Sequence, residues 1–423
     1  MDAGNNALLK ERIRKARGRF AAMAATYFMG VLNDNFFRQS ALLMAVAADK
    51  SHLQGYATVI FTLPFILFAA PAGFCADRFS KRSVVIASKM LELGVMILAA
   101  AGIYYLNWGL ILVTLGIMGF QSILFSPSLG GTIPELYPAE YVVKANAIMR
   151  MASTGAILAG IAAAGFVLDR KGAIGAVPLG RVIAASTVVC ISVVGVIMSF
   201  GVPKFRAASP KVAFPWLGPV YSVKMLYGLR GDRLLSISIA TKAFFWFFGS
   251  LQILVINELG LSQFGLTRTM TSQLIIVELI GIAAGSYLSS RLAVGKRWFR
   301  VLAPAAFVMA VSMFVVSLVP GLSMAVSAVV LAAALGSAGV GGGLMSVPLA
   351  SYVQVRPAAE QKGTIIAASS FADFSGILMS GPVFFLLDRM EIVPSNCFAI
   401  MGGMIGLIGI WLWAVLRGRC GDD

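Results

Sequence analysis

The sequence predicts an all-α membrane protein with twelve transmembrane helices in two six-helix bundles. Of the 423 residues, 59% are hydrophobic and only 12% are charged, whereas a soluble domain carries about 25% charged residues. The apolar residues occur in runs of about 20, the length that a helix needs to cross the hydrocarbon. The two halves of the chain also repeat one another at an offset of about 220 residues.

The apolar runs are expected to be helices because backbone groups inside a bilayer must form their hydrogen bonds internally. Successive residues in these runs do not alternate between apolar and polar, so the strands of a membrane barrel are excluded. We place the twelve spans at residues 20–48, 55–76, 84–105, 108–130, 144–168, 179–200, 234–258, 270–292, 299–319, 322–347, 363–387 and 395–416.

The net charge of +16 would suggest a nucleic-acid partner if the protein were soluble. Here the basic residues concentrate in the N-terminal tail, the connection between spans 6 and 7, two short loops and the C-terminal tail, and we predict no nucleic-acid partner. Loops rich in Lys and Arg stay on the cytoplasmic side. We therefore predict a multi-pass protein of the cell inner membrane with both termini in the cytoplasm.

The predicted organisation has five parts. They are a basic cytoplasmic tail (1–19), an N-terminal six-helix bundle (20–200), a cytoplasmic linker (201–233), a C-terminal six-helix bundle (234–416) and a second cytoplasmic tail (417–423). The linker is the clearest change of composition, because it places four prolines among basic residues.

The repeat is visible in corresponding segments of the two halves, which have similar sequences. After span 4 the chain reads S-P-S-L-G-G-T-I-P-E-L-Y-P-A-E (126–140), and after span 10 it reads S-V-P-L-A-S-Y-V-Q-V-R-P-A-A-E (346–360). Each segment precedes a helix of small residues that ends in Leu-Asp, at Asp169 and Asp388. Two parallel six-helix repeats are typical of transporters whose substrate site lies between the repeats near the middle of the membrane.

The loop after span 2 contains a longer motif. It reads G-F-C-A-D-R-F-S-K-R from Gly73 to Arg82 and resembles the major facilitator superfamily motif G-x-L-A-D-R-x-G-R-[RK], with Ser80 at a position where the family prefers glycine. The resemblance implies a gating role for Gly73, Asp77, Arg78, Lys81 and Arg82, in which the aspartate approaches a helix N-terminus of the other half. A carboxylate gains about 0.3–1 kcal/mol there. The alternative is that these residues only fix the topology.

A narrower resemblance covers most of the first half. Its elements are Asn33-Asp34-Asn35, Ser126-Pro127, Ile133-Pro134-Glu135-Leu136 and Val143-Lys144-Ala145-Asn146-Ala147. Together they resemble the bacterial lysophospholipid transporter family, some members of which are fused to acyltransferases. The resemblance implies a lysophospholipid substrate carried across the inner membrane, and it leaves a separate acyltransferase open as a partner. The family often carries a lysine after span 4 where this chain has Leu129.

Several charged and amide side chains fall inside the predicted spans. An ionisable residue at that depth costs about 2.5–3.5 kcal/mol and needs a partner or a wet cavity. Asp34 and Arg38 share one helix face at i, i+4 and are able to pair, whereas Lys89 and Glu92 are expected to snorkel towards the membrane surface. The predicted substrate-binding residues are Asp34, Asn35, Arg38, Gln121, Arg150, Lys242, Gln252, Glu278 and Asp373.

A zwitterionic headgroup would suit this set of charges. Its ammonium would meet Asp34 or Glu278, and its phosphate would meet Arg38, Arg150 or Lys242 through charge-assisted hydrogen bonds. The alternative is that these residues form ion pairs that hold helices together.

Glycines in spans 5 and 10 are predicted to allow close helix approach and bending. They are Gly155, Gly160, Gly165, Gly336, Gly339, Gly341, Gly342 and Gly343. The cluster at 339–343 is not a phosphate loop, because no strand precedes it and no G-K-[ST] follows.

Two transport functions remain open at this point. The first is a lysophospholipid carrier that works by alternating access, and the second is a proton-coupled transporter of a small metabolite or drug. An enzyme is not predicted, because the chain lacks a Walker A sequence and a His-x4-Asp acyl-transfer motif. Four scattered cysteines and a single histidine indicate no metal site, so we predict neither a cofactor nor a metal, and we expect a monomer.

Overall fold

The computed structural model describes residues 2–130, 132–137, 139–203, 217–293, 295–322, 324–357 and 361–417. The first half contains α1 (Asp2–Ala47), α2 (His52–Leu67), α3 (Ala69–Arg78), α4 (Lys81–Tyr105), α5 (Trp108–Gly130), α6 (Ile133–Leu136), α7 (Ala139–Leu168) and α8 (Leu179–Ser199). Between α7 and α8, β1 (Ala173–Ile174) and β2 (Val177–Pro178) form an antiparallel hairpin.

The second half repeats the pattern of long helices. It contains α9 (Gly218–Gly228), α10 (Arg233–Glu258), α11 (Arg268–Leu292), α12 (Leu302–Leu318), α13 (Met324–Val355), α14 (Lys362–Arg389) and α15 (Pro394–Leu416). Helix α9 lies inside the segment predicted as a linker, of which residues 204–216 are outside the described residues.

The prediction of an all-α membrane fold is confirmed. Within the described residues, ten helical segments are long and apolar enough to cross a membrane, and the count rises to eleven, against the twelve predicted, if the bent pair α2–α3 is one span. Helix α1 coincides with the first predicted span, but the polar residues at 33–35, 38 and 39 lower its mean hydropathy. Each predicted span thus coincides with one helix or with the bent pair.

The bend between α2 and α3 has a local cause. The two helices meet at an angle of 54°, and Pro71 lies four residues after Leu67, the last residue of α2. A proline cannot donate to the carbonyl four residues earlier, and its ring clashes with that carbonyl. The helix therefore breaks at Phe68 and resumes in a new direction.

The chain divides into two compact units. Unit 1 comprises Met1–Ala41 and Ile60–Pro219, and unit 2 comprises Leu42–Val59 and Val220–Asp423. In unit 1, α4 packs against α5 and α8. A Cβ on Gly119 of α5 would overlap the Phe61 carbonyl, and one on Gly160 of α7 would lie 2.7 Å from the Leu32 carbonyl.

In unit 2 the most extensive helix contact joins α11 and α13. A Cβ on Gly339 would overlap the Glu278 carbonyl, and one on Gly343 would overlap the Ile282 carbonyl. The predicted close approach is therefore confirmed for these two glycines, because only a missing side chain lets the two backbones come this near. Residues 42–59 pack in the same unit, where Asn257 Nδ2 donates to Gln54 Oε1 at 3.1 Å.

Candidate functional site

Unit 1 contains a partly open cavity of about 140 Å³ among α1, α2, α4 and α5. The residues that line it mix aromatic rings with charged and polar groups. They are Tyr27, Gly30, Val31, Asp34, Phe65, Lys89, Gln121, Ser122 and Phe125. An apolar lining with a few polar groups is typical of small-ligand sites, although this cavity is smaller than their usual volume of about 300–1,000 Å³.

Asp34 is the acidic group of this cavity. Ser122 Oγ donates a hydrogen bond to Asp34 Oδ2 at 2.6 Å, and Gln121 Nε2 donates to Ser122 Oγ at 3.0 Å. The other carboxylate oxygen, Asp34 Oδ1, and the amide oxygen of Gln121 are buried and accept no hydrogen bond. Because buried acceptors are almost always satisfied by protein or by ordered water, these two oxygens are open to a donor, either a water molecule or a ligand.

Lys89 is the basic group of the cavity, and it forms an ion pair with Glu92 at 2.6 Å. The side chains of both residues are only 1% exposed. Asn33 Nδ2 donates to Glu92 Oε1 at 3.4 Å and to Ser192 Oγ at 2.8 Å, which ties α1, α4 and α8 together. The ammonium of Lys89 also lies 4.6 Å from the centroid of the Phe125 ring, a favourable cation–π position.

The expectation that Lys89 and Glu92 snorkel is wrong. Both lie on the face of α4 that also buries Val85 and Met96, and, with 1% exposure each, neither side chain reaches the surface. Gly30 of α1 faces them, and a Cβ at Gly30 would overlap the Lys89 ammonium. The missing side chain at Gly30 therefore makes room for the ion pair.

The other polar residues of α1 and α7 do not join the cavity lining. Arg38 lies over the Phe61 ring at 5.5 Å from its centroid, and no ion pair within 4 Å joins it to Asp34, although both side chains are described. Asn35 donates to the Val31 carbonyl of its own helix at 2.8 Å. Arg150 is exposed on α7.

Unit 2 holds a second polar cluster on α10 and α14. Lys242 forms an ion pair with Asp373 at 2.7 Å, with side-chain exposures of 15% and 12%, and it donates to Ser369 Oγ at 3.0 Å. Asp373 Oδ1 is buried and accepts no hydrogen bond. In the described part of unit 2, Glu278 Oε2 and Gln252 Nε2 are likewise buried without a hydrogen-bond partner.

The predicted gating residues have distinct surroundings in unit 1. Lys81 forms an ion pair with Glu135, Arg82 Nη2 donates to the Phe200 carbonyl at 2.8 Å, and Arg78 lies 5.5 Å from the centroid of the Phe74 ring. A Cβ on Gly73 would meet no atom within 4 Å, so space does not require glycine there. The side chain of Asp77 lies outside the described residues.

Sequence reasoning missed Lys89, Glu92 and Ser122 as residues of this site. One signal was available for the pair, because opposite charges at i, i+3 within an apolar run are able to neutralise each other inside a membrane. Ser122 offered no such signal. Its role depends on the way α5 packs against α1, which a single sequence does not reveal.

Charge and size determine what this cavity can bind. It presents one carboxylate with an unused oxygen and one ammonium that is already paired with Glu92, so its open position is for a hydrogen-bond donor. Among the described residues, no group of three or more His, Cys, Asp and Glu side chains could hold a metal ion.

Comparisons with known proteins agree with the fold. The sequence model of the Major Facilitator Superfamily matches residues 20–381. The protein named lysophospholipid transporter LplT from Citrobacter koseri is 27% identical over 94% of this chain and 96% of that protein. Its namesake from Pectobacterium carotovorum is 25% identical over 84% of both chains.

Solved structures of transporters share the architecture. A D-xylose–proton symporter aligns with a TM-score of 0.71 at 15% identity, covering 93% of this chain and 97% of that one. A POT family transporter in complex with 5-aminolevulinic acid aligns with a TM-score of 0.71 at 11% identity, covering 94% and 96%. At such identities the likeness establishes the fold alone.

Proposed function

This chain belongs to the Major Facilitator Superfamily and is a multi-pass secondary transporter, and from that premise we propose that its substrate is a lysophospholipid. The unit 1 cavity, with Asp34 and Lys89 in its lining, carries the proposal. A zwitterionic phospholipid headgroup has the complementary charges. The relatives named lysophospholipid transporter, at 25% and 27% identity over most of the chain, support the same substrate class.

The ammonium end of the headgroup binds Asp34 in this proposal. Asp34 Oδ1 accepts no hydrogen bond in unit 1, and an ammonium provides the missing donor as a charge-assisted hydrogen bond. The Gln121 amide oxygen, also without a partner, accepts a second N–H of the same ammonium. Ser122 holds the carboxylate in place through its bond to Oδ2.

The phosphate end binds Lys89. A lysine ammonium has three donors, and Glu92 takes one of them. A phosphate oxygen that enters the cavity accepts another. The Lys89–Glu92 pair keeps the ammonium neutralised and in position when the cavity is empty.

The cavity is too small for a whole lipid, so in this proposal only the charged end of the headgroup enters it. A cavity of about 150 Å³ accommodates a molecule the size of benzene, and the unit 1 cavity measures about 140 Å³. The acyl chain would therefore remain outside it, in apolar surroundings, while the headgroup crosses the membrane.

Neutralising Asp34 tests the proposal. We expect Asp34→Asn to reduce uptake of lysophosphatidylethanolamine into proteoliposomes by about 30-fold or more, because loss of a buried charge partner costs about 2–5 kcal/mol. The matched control is Asp49→Asn, which removes a carboxylate in the loop before α2. Asp49 has a φ of 55°, a conformation that asparagine tolerates.

Near-normal uptake by Asp34→Asn would remove Asp34 from the site. If the wild-type protein bound small polar metabolites but not lysolipids in the same vesicles, the lysophospholipid proposal would fail while the transporter assignment remained.

A proton-coupled transporter of a small metabolite or drug is the second candidate. The buried Glu278 Oε2 and Asp373 Oδ1 atoms, which lack hydrogen-bond partners, support it, because intramembrane carboxylates carry protons in coupled transporters. Abolition of uptake by an uncoupler would favour this candidate. Lysolipid uptake that an uncoupler leaves unchanged would favour the lipid carrier.

A further inference from the structure

Helix α9 presents large apolar side chains outward. The exposed side chains Val220, Val223, Lys224 and Tyr227 follow the i, i+3, i+4, i+7 spacing of one helix face, and Tyr221 and Tyr227 are 63% and 64% exposed. Soluble surfaces rarely carry contiguous apolar patches of this kind without a binding partner. The outer face of α9 therefore requires an apolar environment.

The opposite face of α9 is already occupied. Met225, Leu226 and Leu229 pack against a buried cluster of unit 2 whose members are Leu235, Ile239, Val353 and Ile365. The turn into α10 is held by Asp232, which accepts from the Leu235 amide at 3.0 Å and from Arg356 Nε at 2.9 Å. These contacts fix which face of α9 points away from the protein.

The C-terminal end of α9 leads directly into a predicted membrane span. Its C-terminal end is followed after four residues by Arg233, where the membrane span of α10 begins. This end of α9 therefore lies next to the first turn of a membrane span.

The charges of α9 match an anionic surface. The helix sequence G-P-V-Y-S-V-K-M-L-Y-G contains no acidic residue, and Lys224 is exposed beside Tyr227. Just beyond the helix, the Arg230 guanidinium lies 3.7 Å from the centroid of the Tyr227 ring. Tyrosine together with Lys and Arg next to apolar side chains is the composition of helices that lie in the headgroup layer.

We propose that α9 is an interfacial helix whose apolar face enters the acyl boundary while Lys224 and Arg230 bind anionic phospholipid headgroups. This contact is independent of which molecule the protein transports. It is a lipid-binding surface outside the unit 1 cavity, and its ligand is a phospholipid of the surrounding leaflet.

Lipid-specific fluorescence quenching tests the proposal on the full chain in vesicles. A single cysteine at Tyr227, in a variant without the natural cysteines, carries an environment-sensitive fluorophore. The vesicles contain brominated phosphatidylglycerol or brominated phosphatidylcholine. We expect quenching by both lipids, with stronger quenching by phosphatidylglycerol. The ratio of quenching by phosphatidylglycerol to quenching by phosphatidylcholine should fall about fivefold in each of the variants Lys224→Gln and Arg230→Gln.

Two control labels report the signal expected inside the lipid and the signal expected in water. A label at Val311, an exposed apolar residue of α12, should be quenched by both lipids without preference. A label at Lys171, exposed in the loop between α7 and α8, should be quenched by aqueous iodide only. A label at Val220 repeats the α9 measurement if the Tyr227 variant is not recovered folded.

Quenching of the α9 labels by iodide alone would overturn the proposal, because the face would then lie in water or against a soluble partner. Equal quenching by the two lipids, unchanged in the Gln variants, would overturn the recognition of anionic headgroups.

Discussion

The two units carry their buried charges on different helices. In unit 1 the Lys89–Glu92 pair lies on α4, and each side chain is 1% exposed. The repeat-related helix in unit 2 is α12, whose sequence L-A-P-A-A-F-V-M-A-V-S-M-F-V-V-S-L has no charged residue. Unit 2 instead carries the Lys242–Asp373 pair on α10 and α14, with exposures of 15% and 12%.

The difference shows that a repeated fold does not fix the placement of charge. A pair sealed inside protein needs additional partners, and the pair in unit 1 has Asn33. The pair in unit 2 is more exposed as a whole, yet its Asp373 Oδ1 atom is buried and accepts no hydrogen bond. We infer that the first pair supports a preformed cavity, whereas the second is able to exchange partners.

Breaking the buried pair should have the largest effect on stability. We expect Lys89→Met to lower the free energy of unfolding by about 3–5 kcal/mol, because it leaves Glu92 as an uncompensated buried charge. The midpoint of thermal unfolding in detergent measures the loss.

The double variant Lys89→Met/Glu92→Leu separates stability from function. It should recover most of the lost stability, because paired charges that are replaced together by apolar residues cost little. Lysolipid uptake should nevertheless stay low, since no cation remains in the cavity. Full uptake by the double variant would show that Lys89 does not bind the headgroup.

The α11–α13 contact provides the next test, with an intermediate effect. Gly339→Ala should destabilise unit 2 by about 1–3 kcal/mol, because the added methyl group overlaps the Glu278 carbonyl and forces the helices apart. Gly336→Ala is the matched control, since its Cβ would come no closer than 3.4 Å to Val277. Equal thermal stabilities of the two variants would contradict the close contact at Gly339.

The smallest effects should come from the more exposed pairs. We expect Lys242→Met to cost about 1–3 kcal/mol, between the values for exposed and fully buried pairs. Arg356→Gln, which breaks the pair with Asp232 at the surface, should cost about 1 kcal/mol or less. If Lys242→Met cost as much as Lys89→Met in the same thermal assay, exposure would not explain the difference between the units.

Much of the fold could be predicted from the sequence, because membrane spans depend on length and hydropathy. The bend at Phe68 depends on Pro71, but its angle of 54° depends on packing as well. Helix α9 was predicted as part of a linker because prolines and basic residues hide its short apolar pattern. Gly339 and Gly343 were identified by composition, but their partners on α11 were not.

The candidate site was only partly predictable. Asp34 and Gln121 were identified as polar groups within spans, and the structure places both in the cavity of unit 1. Arg38 was expected to be able to pair with Asp34, yet its guanidinium lies over the Phe61 ring. Spacing along a helix establishes only that two side chains share a face, and the neighbouring helix decides which of them meet.

The sequence by itself determined that this protein is a membrane transporter built from two sets of helices, because hydropathy, loop charge and repeated motifs are local properties of the chain. The tertiary structure decided which charges are buried together. The Lys89 ammonium is held between Glu92 and the Phe125 ring, and Asp34 is held by Ser122. The contacts of Lys89 with Phe125 and of Asp34 with Ser122 join residues far apart in sequence, so their energies depend on helix packing that the order of residues does not reveal.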